Sequence, residues 1–284
     1  MSNPVSSRGS EGKPLSGKVA FITGAARGQG RSHAVRLAAD GADIIAVDIC
    51  KQIDTVGYAM STSDDLAQTV AEVEALGRRI IATEADVRDG AALRAAVAEG
   101  ARELGGVDIV LANAGIAPGG GSGNEPEQSF RDIVEVNLFG VWNTVHAAAP
   151  LMIEQGRGGA IVLTSSTQGL TGRGGYGEAG LEGYCASKHG VVGLMRTFAY
   201  WLAPHNIRVN TVHPTGVNTP MVVNQALERH MADNPDLSAG MANLMPVPLI
   251  EASDVTEAIV WLVSDAGRYI TGVTLPIDAG FAIK

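Results

Sequence analysis

The chain reads as a single α/β domain in which a doubly wound parallel sheet of seven strands is flanked by helices. Two patterns predict this class. From Lys18 onward, short apolar runs alternate with longer stretches of helical period, as repeated strand-helix-strand units require. The runs also lack polar alternation, which suits strands buried on both faces. A third observation orients the sheet: a glycine cluster follows the first run and opens the first helix, at the edge where open sheets bind ligands.

Taken in order, residues 19–23 (VAFIT) make the first strand and residues 29–40 the first helix. DIIAVD (43–48) and residues 64–76 give the second pair, and RIIATEAD (79–86) and residues 90–104 the third. Gly41, Gly77 and Gly105 stand where helix C-terminal caps belong. DIVLANAG (108–115) precedes a long helix over 129–155, AIVLTSS (160–166) a helix over 184–203, and IRVNTVHP (207–214) a helix over 253–264. VTLPID (273–278) completes the sheet. Three segments exceed what this plan needs: 49–63 after the second strand, the Gly-rich stretch 171–183, and 215–248, expected to cover the substrate. All three follow carboxyl ends of strands.

With 45% hydrophobic residues, 284 residues supply a large core. Thirty acidic against 21 basic residues give a net charge of -9 with no basic cluster, which argues against a nucleic-acid surface. Cys50 and Cys185 are in no metal-ligand spacing, and the six histidines include no His-x-x-x-His pair, so no metal site and a reduced, cytoplasmic setting are expected. Residues 1–17 contain no apolar run long enough for a signal peptide or membrane span, and read as a mobile leader to a domain at 18–284.

The glycine cluster, TGAARGQG, places Gly24, Gly28 and Gly30 around Arg27 and Gln29. A chain that turns tightly there lets a pyrophosphate approach the backbone at the helix N-terminus. Asp48 follows about twenty residues after Gly28, at the end of the second strand. Its carboxylate can accept hydrogen bonds from both adenosine ribose hydroxyls, whereas a 2′-phosphate would bring a second anion beside it. Two like charges about 4 Å apart cost on the order of 4 kcal/mol near a surface. NAD is therefore expected over NADP. Arg27 could pair with a 2′-phosphate, but Ile49 and not a second basic residue follows Asp48, so Arg27 reads as a surface charge or the partner of a local carboxylate.

Tyr184 and Lys188, four residues apart in GYCASKHG, share one helix face. A free phenol titrates near pH 10, and a neighbouring cation favours its charged form; bringing its pKa down by about three corresponds to roughly 4 kcal/mol. Proton exchange near neutral pH would follow.

With TGAARGQG, the NAG of residues 113–115, Asn137, Ser165 and Ser166, and YCASK at 184–188, the chain resembles the short-chain dehydrogenase/reductase family from about Lys18 onward. The segments TGAARGQGRSHAVRLA, AVDICKQIDTVGYAMSTSDDLAQTV and HPTGVNTPMV look like its carveol dehydrogenase branch, often called mycofactocin-coupled, whose hallmark is an insertion after the second strand, here 49–63. The resemblance implies a Rossmann-like fold and a catalytic tetrad of Asn137, Ser166, Tyr184 and Lys188. Tyr184 would exchange the hydroxyl proton while Lys188 holds the nicotinamide ribose and lowers the phenol's pKa. Ser166 would bond the reacting oxygen, and Asn137 would position a water linking Lys188 to solvent. The same resemblance puts Asp86 and Val87 at the adenine, Asn113, Ala114 and Gly115 in the cofactor wall, and Pro214, Val217 and Thr219 toward the carboxamide. The interval from Ser166 to Tyr184 is eighteen residues where the family has about thirteen, which implies a wider substrate entrance. Tyr176 lies in that stretch, but Gly180 stands where its lysine would be, so it reads as a substrate-lining ring. Thr215 replaces a glycine common in the family.

The expected activity is hydride transfer between NAD and a hydrophobic secondary alcohol or ketone of terpenoid, alicyclic or steroid type. Met221, Val222, Val223, Leu227, Met231, Leu244 and Met245 would form an adaptable apolar flank. The alternatives are an NADP-dependent carbonyl or acyl-thioester reductase and a non-catalytic NAD(H) sensor. The branch further implies NAD held too tightly to exchange, electrons passed to a peptide-derived carrier, and a homotetramer built through the helices at 129–155 and 184–203. Ile53, Val56, Tyr58 and Met60 of the insertion are expected to cover the adenine end.

Overall fold

The computed structural model describes residues 13–118, 125–173 and 177–284; Tyr176 lies outside the described residues. Strands β1 (Val19–Thr23), β2 (Asp43–Asp48), β3 (Ile80–Glu84), β4 (Ile109–Ala112), β5 (Gly159–Thr164), β6 (Ile207–Pro214) and β7 (Thr274–Ile277) form one parallel sheet in the order β3-β2-β1-β4-β5-β6-β7. The helices are α1 (Gly28–Ala39), α2 (Ser63–Ala75), α3 (Gly90–Leu104), α4 (Pro126–Val134), α5 (Gly140–Gln155), α6 (Ala179–Leu202), α7 (Gln225–Asp233), α8 (Pro235–Gly240) and α9 (Ala252–Val263). Strand order reverses between β1 and β4, so the connections diverge there and leave a crevice at the carboxyl edge.

Alternate residues of the central strands enter two cores. Phe21, Ile45, Val110 and Ile161 belong to one, with Leu93, Met152 and Met195 from the helices; Ile22, Ile44, Leu111 and Val162 belong to the other, with Leu37 and Ile259. Every residue of β1, β2 and β4 is buried, as the unbroken apolar runs require. At β3 and β7 the expectation of burial on both faces fails, because these edge strands have a neighbour on one side only.

Several boundaries differ from the sequence expectation. Leu15, inside the supposed mobile leader, is buried, and its amide donates to the Asp40 carbonyl at 2.8 Å, so the packed chain begins before Lys18. The long helix over 129–155 is divided: Glu135–Phe139 forms a π-helical turn between α4 and α5. Such turns insert a residue and re-aim a side chain, here Asn137. α6 begins at Ala179, five residues before Tyr184, so part of the extra sequence after Ser166 extends this helix. The 215–248 segment contributes α7 and α8.

The insertion folds on itself. Gln52 donates from Nε2 to the carbonyls of Ile53 and Val56, both at 3.0 Å, and accepts the Met60 amide at 3.0 Å, while Ile53, Val56 and Tyr58 pack into the first core.

At the amino edge, the buried Asp43 carboxylate joins β2 to the start of β3. It accepts the Arg79 amide at 3.0 Å, Arg79 Nη2 at 2.9 Å and Arg78 Nη2 at 2.5 Å. Burial alone would raise this carboxyl's pKa, but the Arg79 amide and side chain, with Arg78, outweigh it and hold the group below its ordinary value. A depressed carboxylate stabilises the fold above the unfolded pKa of about 3.9 and loses that contribution as pH falls through the folded value. Asp43→Asn should therefore cost about 1.5–3 kcal/mol at pH 7, a range typical of hydrogen bonds to a charged group. Denaturant titrations at decreasing pH should show the gap between native and variant chains closing below about pH 4.

Candidate active site

The turn from β1 into α1 is built for close approach. Gly24 has φ +69°, and a Cβ there would lie 2.8 Å from Ala114 Cα; a Cβ on Gly30 would lie 1.9 Å from the Gly24 carbonyl oxygen. Only glycine permits this packing of α1 against the loop. A cleft opens beside it, lined from this turn by Gly24, Arg27, Gly28, Gln29 and Gly30. Asp48, Ile49, Asp86, Val87, Asn113, Ala114, Gly115 and Thr219 line the rest, with Ile53, Tyr58, Met60 and Ser61 of the insertion. Val56 is buried in the core instead. Val217 packs in the second core and bridges Ile250, and Pro214 pairs in β6 with Ile277 of β7.

The carboxylates are more committed than their spacing suggested. Asp48 is buried; its Oδ2 accepts the Ala26 amide at 2.9 Å, and its Oδ1 accepts Ser61 Oγ at 2.6 Å and the Cys50 amide at 3.2 Å. These bonds use most of the capacity expected to serve two ribose hydroxyls. Ser61 is a partner that sequence reasoning missed, because nothing in linear spacing ties it to Asp48. Asp86 accepts both the amide and the guanidinium of Arg88, at 2.9 and 2.7 Å. Arg27 is neither a free surface charge nor a carboxylate partner: its Nη2 donates to the Ala59 carbonyl at 2.5 Å and so joins the glycine turn to the insertion across the cleft.

The four residues expected to form the tetrad come from the π-turn (Asn137), the segment just after β5 (Ser166) and α6 (Tyr184 and Lys188). Lys188 is buried, its Nζ 5.5 Å from the Tyr184 ring centre and donating to the Thr164 carbonyl at 2.9 Å. Tyr184 and Ser166 line the same cavity, and Ser166 acts to lower the phenol's pKa. Asn137, fully buried, accepts the Ile116 amide and donates to the Ile116 carbonyl, each at 2.8 Å. A Cβ on Gly115 would sit 3.3 Å from Asn137 Oδ1 and 3.4 Å from Lys188 Nζ, so a side chain there would crowd both groups.

One electrostatic expectation reverses. Burial raises the Tyr184 phenol above its ordinary pKa, and Ser166 offsets only part of that. Burial also lowers Lys188 to about 8. Burial, and not the neighbouring ammonium, therefore sets the direction in which the phenol's pKa moves. His213, another residue the sequence did not single out, lies behind Ser166 with Nδ1 2.8 Å from the Ser166 carbonyl and Nε2 2.8 Å from Thr211 Oγ1. Burial lowers it to about 4, so it is neutral and its Nδ1–H donates to the carbonyl.

Beyond Tyr184 and Ser166 extends a cavity of about 870 Å³. Met221, Val222, Val223, Leu227, Met231 and Met245 line it as expected. Leu244 does not; it lies over Gly280, where an added Cβ would meet Leu244 Cβ at 2.8 Å.

A glycine-turn crevice, a Ser-Tyr-Lys group at its end and an adjoining apolar cavity are shared by a known class of oxidoreductases. The short chain dehydrogenase model matches residues 18–230, and the chain belongs to that family. Within the family it is 47% identical over 279 residues to (-)-trans-carveol dehydrogenase of Rhodococcus erythropolis, covering 95% of this chain and 99% of that protein. The crystal structure of carveol dehydrogenase from Mycobacterium avium in complex with NAD superposes with a TM-score of 0.88 at 48% identity, covering 96% and 100% of the two chains. A short chain dehydrogenase from Mycobacterium paratuberculosis bound to NAD gives 0.89 at 46%, covering 95% and 100%.

A lysine whose folded pKa is lowered destabilises the chain below that value, and the cost is relieved as pH rises toward the unfolded value of about 10.4. With Lys188 at about 8, the native chain should gain on the order of 3 kcal/mol relative to Lys188→Met between pH 7 and pH 10.5. Paired denaturation curves over that range check it. A difference that stays constant would mean that the buried ammonium carries no such cost.

Proposed function

We propose that the chain is an NAD-dependent dehydrogenase of hydrophobic secondary alcohols, working in either direction between the alcohol and its ketone. The observation that carries this reading is the Tyr184 phenol, on the wall of the apolar cavity with Ser166 and beside buried Lys188, in a cavity that shares Met221 with the glycine-turn cleft. The cleft residues fit the cofactor: Gly24 and Gly28 adopt left-handed backbone at φ +69° and +56°, and Gln29 Oε1 is buried on the cleft wall with no hydrogen-bond partner among the described residues. Bound NAD supplies the hydride acceptor.

The chain's own residues move the proton. Ser166 Oγ and the Tyr184 hydroxyl together grip the carbinol oxygen, and Tyr184 takes or returns its proton. Because burial raises the phenol, Tyr184 is protonated at neutral pH, the form that serves ketone reduction; alcohol oxidation gains as pH rises. Lys188, near 8, passes the proton onward, and Asn137 contributes the second lone pair of Oδ1, the first being held by the Ile116 amide. Asp48, an anion fixed by three donors, disfavours a 2′-phosphate and supports NAD over NADP.

The insertion supports retention of the cofactor. It is tied across the cleft by Arg27 to Ala59 and by Ser61 to Asp48, and Ala117 N donates to the Tyr58 hydroxyl at 3.3 Å. NAD release would require these ties to part, which fits an enzyme that is reoxidised in place by a peptide-derived electron carrier. For assembly we propose a homotetramer. Phe139, Trp142, His146 and Trp201 on the π-turn, α5 and α6 form a ladder with ring centres 5.4, 4.1 and 5.3 Å apart, and Phe139 remains 53% exposed.

Tyr184→Phe should lower turnover of a secondary alcohol by about 10² to 10⁴, the usual contribution of a general acid-base, while NAD affinity stays near native. Stopped-flow absorbance at the reduced nicotinamide band measures it, and a native rate would remove the proposed role. Replacing residues 54–61 with a Gly-Ser linker should raise the NAD dissociation rate with little change in single-turnover chemistry; unaltered release would eliminate the retention role. In sedimentation velocity at micromolar concentration a tetramer is expected, and a monomer would refute the assembly.

A further inference from the structure

Besides Tyr184, three ionisable side chains line the apolar cavity: Glu228, which is exposed, and a facing pair that a purely hydrocarbon substrate would leave unused. Glu178, the residue before α6, and His230 on α7 both line it and face each other with Oε1 and Nε2 3.4 Å apart. The two amide side chains of the same wall are engaged elsewhere. Gln168 Nε2 donates to the Arg173 carbonyl at 2.9 Å, and its Oε1 accepts from Thr171 and Cys185. Asn243 accepts from Thr215 Oγ1 at 2.7 Å and donates to the Val247 carbonyl at 2.6 Å. The Glu178 and His230 side chains make no other polar contact among the described residues, which leaves the second carboxylate oxygen and the remaining lone pairs of Glu178 available.

Position gives the pair its meaning. Glu178 precedes Tyr184 by six residues, about 9 Å along the helix axis at 1.5 Å per residue. A substrate whose carbinol lies at Tyr184 and whose body follows α6 toward its N-terminus therefore ends at the pair. A hydroxyl there can donate to the carboxylate oxygen that His230 does not face, whereas an alkyl terminus strips water from the pair and returns no bond.

We infer that the Glu178–His230 pair is a recognition site for a second hydroxyl at the far end of an otherwise apolar alcohol, so that the preferred substrates are diols or hydroxy-ketones of an alicyclic frame. This rests on the dehydrogenase reading above and specifies its substrate class. The rival role of the same pair is a clasp holding α7 to the start of α6, which would affect every substrate alike.

Two matched compounds separate these roles: 4-propylcyclohexanol and 4-(3-hydroxypropyl)cyclohexanol, which share one carbon frame and differ in one terminal hydroxyl. With NAD-loaded protein and a redox dye as acceptor, kcat/KM for the hydroxylated compound should exceed that for its partner by about tenfold or more. In Glu178→Leu and in His230→Phe the ratio should fall to about one. A native ratio of one or below, or a ratio that survives both substitutions while absolute rates fall together, overturns the proposal. Calorimetric titration of the NAD-loaded protein with the same compounds reads the preference without chemistry. Tighter binding of the diol with turnover of neither compound would refute the dehydrogenase reading and keep the recognition site, whereas equal binding refutes the site itself.

Discussion

Asp48 joins three segments that must meet for the crevice to exist. Its carboxylate holds the glycine turn through Ala26, the exit from β2 through Cys50 and the far end of the insertion through Ser61. Cys50 leaves the strand at φ +48°, a left-handed conformation that costs a non-glycine residue roughly 1–2 kcal/mol. The bond from its amide to Asp48 offsets that cost and turns the chain into the insertion. The same carboxylate lines the cleft, so one anion both shapes the wall and places a negative charge on it.

At the other end of the crevice the controlling constraint is burial. Lys188 is buried and Tyr184 half-buried, and desolvation raises the phenol and lowers the ammonium, so both neutral forms are favoured. A tyrosine beside a fully solvated lysine would be a different device. The supports are equally buried: Asn137 is clamped to Ile116 by both amide atoms, and His213 holds the Ser166 peptide from behind. The π-turn at Glu135–Phe139 belongs to this arrangement, because it interrupts the helical register at the residue whose side chain must reach back to the end of β4.

The substrate side is assembled differently. Residues 221–223, α7 and the segment 241–249 supply flexible apolar side chains, with Met221 shared between the cavity and the cleft. A methionine at that junction touches both compartments without fixing the shape of either. Membership of the short chain dehydrogenase family accounts for the crevice and the proton-transfer group, while the Glu178–His230 pair is a feature of this cavity's own wall.

The sequence by itself determined the strands of the sheet centre, the glycine turn and the shared helix face of Tyr184 and Lys188, because each rests on a local requirement. An unbroken apolar run must be buried, a left-handed cap needs glycine, and a four-residue spacing places Tyr184 and Lys188 on one helix face. Gly41, Gly77 and Gly105 have φ of +104°, +73° and +94°, as their positions after helices demanded. What only the tertiary structure decided is every pairing between residues distant in the chain: Arg27 with Ala59, Ser61 with Asp48, His213 with Ser166, Glu178 with His230. It also decided the direction in which the Tyr184 pKa moves, since desolvation depends on everything packed around a group and spacing reports only its neighbour in sequence. Leu244 lies against Gly280 and not on the cavity wall for the same reason: the packing of neighbouring elements, not local sequence, sets which side of a loop faces the cavity.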